Sequence, residues 1–328
     1  MVEACVGDVD LVIVGAGPTG LFAAYYAGFR GFSTVVIDAL PEAGGQITAM
    51  YPEKVIYDVA GFPAIRGREL IANLVAQAAP YRPTYLLGVR AEGLDRDPDG
   101  RPLLSLSDGQ TLRCGAILIT GGLGSFSPRP LPCAAGWTGT GLVYFVPELN
   151  VLAGRDVVIV GGGDSAFDWA LALQPIAASV TLVHRRDAFR AHAGTVAKVR
   201  DLPVRILVNA QVTRLIGDDE VTAVEVAVKG EEPATLPAGA VVAALGFTAD
   251  LGPLAEWGLT LDHRHIVVDS TMATNLPRVF AAGDITEYPG KVRLIATGFG
   301  EAATAVNNAA PVIDPGAHLF PGHSSDAG

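Results

Sequence analysis

The chain has 328 residues, half of them hydrophobic and only 17% charged, so it is long enough for two domains and apolar enough to build their cores without metal or disulfide staples. That composition excludes disorder and coiled coil. Its 34 acidic and 23 basic side chains leave a formal charge of −11, which argues against a general nucleic-acid binder. Every apolar stretch is broken by Gly, Pro or charge well short of the ~18 residues a membrane span needs, so no membrane association is expected. The opening Met1-Val2-Glu3-Ala4-Cys5-Val6-Gly7-Asp8 carries acid where a targeting peptide carries base, and a cytoplasmic location is expected. Cys5, Cys114 and Cys133 form no CxxC and no ligand cluster, so they read as reduced thiols and no metal site is expected.

The first element is an apolar run, Asp10–Val14, followed by Gly15-Ala16-Gly17-Pro18-Thr19-Gly20, an Ala-rich helical stretch to about Gly31 and a second strand, Thr34–Asp38. This is the strand, glycine turn, helix, strand order of a dinucleotide site. Gly15 allows the tight turn, Gly17 lets backbone approach a pyrophosphate, and Gly20 keeps helix and strand close. The helix N-terminus then offers unpaired N–H groups and partial positive charge to the phosphates. A Pro/Gly-rich excursion (41–66) follows, then a predicted helix around Glu69–Ala79. Strands are predicted near Tyr85–Leu94, Leu103–Leu106 and Thr111–Ile119, with a turn at Asp97-Pro98-Asp99-Gly100.

The opening pattern then recurs. Asp156–Val160 leads into Gly161-Gly162-Gly163-Asp164-Ser165-Ala166, a helical stretch to about Leu173, and Val180–His184, whose end lies as far beyond the motif as Asp38 does in the first copy. Runs near Arg205–Leu207, Val212–Ile216, Ala223–Val228 and Val241–Leu245 follow, with a turn at Gly217-Asp218-Asp219. The tail holds the strand Val279–Ala281, Gly283-Asp284 and a predicted helix from about Thr297 to Asn308; it has no match in the second copy and is expected to return to the first domain. The fold class is therefore α/β. Two Rossmann-like domains are expected, each a parallel sheet with an antiparallel meander, with residues 1–122 and 246–328 forming the first around an inserted second at 123–245.

The residues closing the second strand of each copy differ in charge. A carboxylate there, Asp38, accepts hydrogen bonds from the hydroxyls of an adenosine ribose and suits FAD or NAD. The second copy presents His184, Arg185 and Arg186, with Arg190 about a turn later, and guanidinium groups grip a 2′-phosphate that a carboxylate would repel, so this site suits NADP. Two dinucleotides in one chain imply electron transfer between them, because a nicotinamide gives up hydride only to an acceptor held beside it, and flavin is the natural acceptor. Asp284 would meet ribityl or pyrophosphate-linked hydroxyls, and the helix after it would point its positive end at the flavin.

These residues resemble the two-nucleotide flavoproteins of the low-molecular-weight thioredoxin reductase family, and within it the ferredoxin–NADP reductases of thioredoxin-reductase-like type. The resemblance covers almost the whole chain. It is carried by Gly15–Gly20, Gly44-Gly45-Gln46, Met50-Tyr51-Pro52-Glu53-Lys54, Asp58–Pro63, Gly161–Ala166, His184-Arg185-Arg186-Asp187, Phe189-Arg190-Ala191-His192, Ala281–Asp284, Gly298–Ala302 and Pro321–Ser325. Thioredoxin reductases place CxxC before the second glycine motif, where this chain reads Tyr144-Phe145-Val146-Pro147-Glu148-Leu149, so thiol exchange is not available to it.

The resemblance implies a homodimer in which hydride passes from NADPH to flavin N5 and electrons then leave in single steps to ferredoxin or flavodoxin. It implies FAD contacts from the glycine turn, Asp38, Gln46, main chain near Ala91 and Phe126, and Asp284. Tyr51 matches a residue stacked on one flavin face, and His323 with Ser325 matches a C-terminal extension that covers the other face from the partner subunit. Gly161, Gly163, Asp164 and Ser165 would hold NADP. A basic patch from Lys198, Arg200 and Arg205, or from Lys291 and Arg293, would receive an acidic ferredoxin. The residues alone also leave open a reductase of a disulfide protein, quinone, free flavin or iron, and a slow-turnover redox sensor.

Overall fold

A computed structural model describes residues 5–122, 125–146, 148–320 and 322. The chain forms two compact units: Met1–Ala49, Val55–Ser125 and Ala249–Gly328 in one, Met50–Lys54 and Phe126–Thr248 in the other. The segment Met50–Lys54, expected in the first domain, thus packs with the second unit.

The first unit opens with β1 (Cys5–Val14), α1 (Pro18–Phe29) and β2 (Thr34–Asp38), followed by α2 (Gly67–Ala78), β3 (Thr84–Leu87), β4 (Ala91–Arg96), β5 (Pro102–Leu106) and β6 (Thr111–Ile119). Its sheet runs β3-β2-β1-β6-β5-β4, and the strand Val279–Ala281 also pairs with β6. Pairing is parallel from β3 to β6 and antiparallel from β6 to β4, so the meander continues the parallel sheet. Leu11, Val12 and Ile13 on β1 and Ile117, Leu118 and Ile119 on β6 are buried, the continuous apolar run of strands covered on both faces. Each such Leu or Ile contributes roughly 1.5–3 kcal/mol. Small buried residues, Ala23, Ala24 and Ala27 on α1 and Ala302, Ala305 and Ala309 on the C-terminal helix Ile295–Ile313, let these two helices pack closely.

Two elements depart from the sequence reading. The run predicted at Tyr85–Leu94 is two strands, because Gly88 turns the chain at φ +72° and its N–H bonds Leu40 C=O. The C-terminal helix is longer at both ends than Thr297–Asn308 and carries Pro311 near its end.

In the second unit, β7 (Asp156–Val160), α3 (Asp164–Leu173), β8 (Ser179–Val183), α4 (Ala193–Arg200) and β9 (Val204–Leu207) repeat the opening pattern. The parallel sheet runs Leu142–Val143, Ala240–Ala243, β7, β8, β9. Its meander, Ala210–Ile216, Ala223–Val228 and Ala234–Pro237, is a separate antiparallel sheet. Phe167, Ile159 and Leu182 are fully buried between sheet and helices. Tyr51 packs against this core, and Lys54 pairs with Asp168 of α3 at 2.5 Å. No helix among the described residues is long and apolar enough to cross a membrane.

Candidate functional site

Each unit builds a glycine turn at the C-terminal end of one parallel strand, β1 in the first and β7 in the second. In the first unit Gly15 stands at φ +118°, and a Cβ there would lie 2.7 Å from the Thr120 carbonyl. A Cβ on Gly20 would lie 1.9 Å from the Gly15 carbonyl oxygen, so helix and turn meet backbone to backbone. Gly17 caps α1 without a side chain, and nothing lies within 4 Å of where its Cβ would be. The result is an open cradle at a helix N-terminus.

Asp38 ends β2 beside that cradle. Its Oδ2 accepts the Ala16 N–H at 2.7 Å and its Oδ1 accepts the Leu40 N–H at 2.9 Å. Burial pushes its carboxyl pKa up and these two donors pull it back. Each oxygen keeps a lone pair for a ribose hydroxyl. The Val89 N–H bonds the Asp38 carbonyl, which ties the start of β4, where Ala91 is buried, to the same strand end. The Gln46 side-chain amide lies against Gly122 and makes no hydrogen bond with a described residue.

Asp284 is half-buried at the turn that follows Val279–Ala281. Its carboxylate makes no hydrogen bond with a described residue, and burial pushes its pKa up against the opposing pull of Lys291 and Arg293. Phe126 lies on the strand Ser125–Pro128, with its side chain outside the described residues. His323 and Ser325 also lie outside them. Tyr51 sits in the second unit, with Lys54 Nζ 5.7 Å from its ring centroid.

In the second unit Gly163 caps α3 without a side chain, again facing open space, and Asp164 and Ser165 are exposed in the first turn. Gly161 donates its N–H to the Val183 carbonyl at 3.1 Å. The loop after β8 folds back on this turn. Arg190 N–H bonds Gly162 C=O at 2.8 Å, and His192 N–H bonds the Asp164 carboxylate at 2.8 Å. The His184 ring fills the space a Cβ on Gly162 would need, with Nε2 3.2 Å from the Ala188 carbonyl. Burial, and then the charges of Arg185, Arg186 and Arg190, hold His184 below the ordinary histidine pKa. All three arginines are exposed and form no ion pair with a described residue. A cleft of about 450 Å³ beside them is lined by residues that include Phe189, Val196 and Arg200.

These features fit two dinucleotides: a cradle at each helix N-terminus, a carboxylate at one strand end, uncommitted guanidinium groups at the other, and an Asp284 carboxylate with unmet acceptors. One expectation is corrected. Lys291 is not part of a surface patch, because its side chain is 1% exposed and paired with Glu301, whereas Lys198, Arg200 and Arg205 are exposed. Glu301 was not anticipated; its signal was a lone carboxylate between Gly300 and Ala302 in an apolar helix, which requires a partner.

A profile of the pyridine nucleotide-disulphide oxidoreductase family matches residues 9–309. The chain is 75% identical over 319 residues to a ferredoxin–NADP reductase of Salinispora arenicola, covering 97% of this chain and 99% of that protein. It is 48% identical over 322 residues to a ferredoxin–NADP reductase of Halalkalibacterium halodurans, covering 96% and 97%. Among solved structures, the T. acidophilum thioredoxin reductase aligns over 91% of this chain and 96% of its own, with a TM-score of 0.78 and 28% identity. The bacillithiol disulfide reductase of Staphylococcus aureus shares the fold at a TM-score of 0.72 and 18% identity, over 92% and 98% of the two chains.

Proposed function

The chain belongs to the pyridine nucleotide-disulphide oxidoreductase family, and from that premise we propose that it is an FAD-dependent oxidoreductase moving electrons between NADPH and ferredoxin or flavodoxin. The observation that carries this reading is the contrast at the two strand ends: a carboxylate braced by two N–H donors at Asp38, and three guanidinium groups, those of Arg185, Arg186 and Arg190, that form no ion pair with a described residue. The first accepts ribose hydroxyls of FAD, and the second binds the 2′-phosphate of NADPH.

Bound FAD supplies a hydride acceptor at N5 and a donor of single electrons. The chain's own residues then bind and orient. The N-terminus of α1 meets one pyrophosphate and that of α3 the other. Asp284 receives hydroxyls of the flavin side chain. By the family resemblance, Tyr51 would stack on one face of the flavin ring and the tail residue His323, which lies outside the described residues, would cover the other from the partner subunit, where aromatic contact would exclude water. No general acid or base is required, so catalysis here is positioning. The protein acts as a cytoplasmic homodimer whose partner is ferredoxin or flavodoxin.

The test is steady-state reduction of purified ferredoxin by NADPH, set against a disulfide protein, quinone, free flavin and iron. Ferredoxin is expected to have the highest kcat/KM. A preparation that stays colourless after supplementation with FAD would overturn the reading.

A further inference from the structure

Behind Asp284 lies a buried ion pair that the electron-transfer scheme does not use. Glu301 of the C-terminal helix is 5% exposed and Lys291 1%. Glu301 Oε1 accepts from Lys291 Nζ and from the Tyr288 hydroxyl, each at 2.5 Å, and Oε2 accepts the Gly283 N–H at 2.7 Å. Lys291 Nζ also donates to the Gly283 carbonyl at 2.9 Å, an oxygen that further accepts from the Thr286 hydroxyl at 2.8 Å and the Thr286 N–H at 3.1 Å. Burial and the Glu301 bond push the Tyr288 hydroxyl up to about 12, so it stays a donor at any working pH. Both polar groups of Gly283 are therefore held by the same ion pair, one from each side.

The turn is fixed sterically as well. Gly283 stands at φ +85°, and a Cβ on it would lie 2.9 Å from Oγ1 of Thr19, the residue that follows Gly17-Pro18 in the first glycine turn. A Cβ on Gly298 would lie 2.4 Å from the same oxygen. Thr19 thus packs against both Gly283 and the C-terminal helix. Two charges buried this way gain little stability, because their desolvation offsets their attraction and an apolar replacement is often neutral or better. Such a pair is informative for what it holds in place.

We propose that Lys291 and Glu301 are positioning residues for the flavin site: they clamp both sides of Gly283 so that the Asp284 carboxylate, which makes no hydrogen bond with a described residue, is presented, already aimed, to FAD. The inference rests on the reading that FAD binds against Asp284. Its consequence is a separation of flavin affinity from fold stability, since a pair kept only for packing would affect the two together.

The experiment measures FAD affinity by flavin fluorescence and the Tm of the flavin-free full chain, for wild type, Lys291→Met, Glu301→Gln and the double variant Lys291→Met/Glu301→Met. Each single variant is expected to lower the Tm and to weaken FAD binding by about tenfold or more, the scale of a lost charged hydrogen bond. The double variant is expected to regain the part of the Tm that a single unpaired charge loses, though not the part that the Gly283 N–H and the Tyr288 hydroxyl lose with their acceptor, and to keep the loss of FAD affinity, with KM for NADPH unchanged. A double variant that folds and binds FAD like wild type would show a packing device only and overturn the proposal. Should the double variant not fold, Tyr288→Phe decides: weaker FAD at unchanged Tm supports the clamp, and unchanged FAD affinity removes it. A wild-type chain that binds no FAD defeats the functional reading itself, whereas variants indistinguishable from an FAD-binding wild type defeat only this inference.

Discussion

The two glycine turns share a strand–turn–helix plan with an extended glycine capping each helix, and differ in the first glycine, at positive φ in Gly15 but not in Gly161, and in what surrounds the turn. In the first, the third motif position is Gly20, and any Cβ there runs into the Gly15 carbonyl at 1.9 Å; in the second it is Ala166, fully buried. In the first, the strand-end carboxylate is engaged by two N–H groups, whereas in the second the loop uses backbone groups to fold over the turn and its guanidinium groups form no ion pair with a described residue. A single fold therefore sets the place of a ligand, and one or two side chains at the strand end set its charge.

The steric half of this contrast breaks most sharply at the third position. Gly20→Ala is expected to cost more than about 3 kcal/mol, because backbone must move to admit the methyl group. Urea unfolding of the purified chain should show it, with loss of flavin. The reciprocal change Ala166→Gly should cost only about 1 kcal/mol, the ordinary penalty of glycine in a helix. Equal effects at the two sites would mean that the turns pack alike.

The electrostatic half is sharpened by Arg185→Ala/Arg186→Ala. Each charged hydrogen bond to a phosphate is worth about 1.5–3 kcal/mol, so kcat/KM for NADPH should fall by about 100-fold or more while that for NADH changes little. An unchanged NADPH-to-NADH ratio would remove the 2′-phosphate from this loop. On the other side, Asp38→Asn keeps the shape but sets an amide N–H₂ against one of the N–H donors of Ala16 and Leu40. FAD affinity, followed by fluorescence titration, is expected to weaken by about tenfold, with KM for NADPH unaffected.

Much of this was legible because it is local. The run Asp10–Val14, the spacing of Gly15, Gly17 and Gly20, and the strand ending at Asp38 predict β1, α1 and β2 from short-range rules, and the same rules predict the second copy. The parts that escaped depend on contacts between residues distant in sequence. Tyr51-Pro52-Glu53-Lys54 reads as a loop of the first domain until Lys54 meets Asp168. Lys291, in Pro289-Gly290-Lys291-Val292-Arg293, reads as a solvated cation, and only the fold brings Glu301 to it. Gly88 divides a run whose side chains alone suggest one strand, because the adjoining backbone bonds Leu40 and Asp38.

A last contrast lies within the first unit, between its two carboxylates. Asp38 has two backbone donors and Asp284 has none among the described residues. Burial raises the Asp284 carboxyl pKa, Lys291 and Arg293 oppose this, Glu301 adds to it and His265 opposes it. A carboxyl whose pKa is higher in the folded than in the unfolded chain favours folding most when protonated; that contribution is full below the ordinary value near 3.8 and is lost as pH rises through the raised one. Above the raised value, where it is ionised, Asp284 therefore lowers the stability of the flavin-free chain. Asp284→Asn should raise its Tm by about 1–3 °C at pH 7. The gain should shrink as the pH is lowered through the raised value, because the wild-type group then takes up its proton. The same substitution should weaken FAD binding, since a neutral amide accepts hydroxyl hydrogen bonds less strongly than a carboxylate. Calorimetry of flavin-free and flavin-loaded protein across this pH range separates the effects. A Tm gain independent of pH would mean that the asparagine stabilises by packing, and a loss at pH 7 would mean that Asp284 already has a partner in the folded chain.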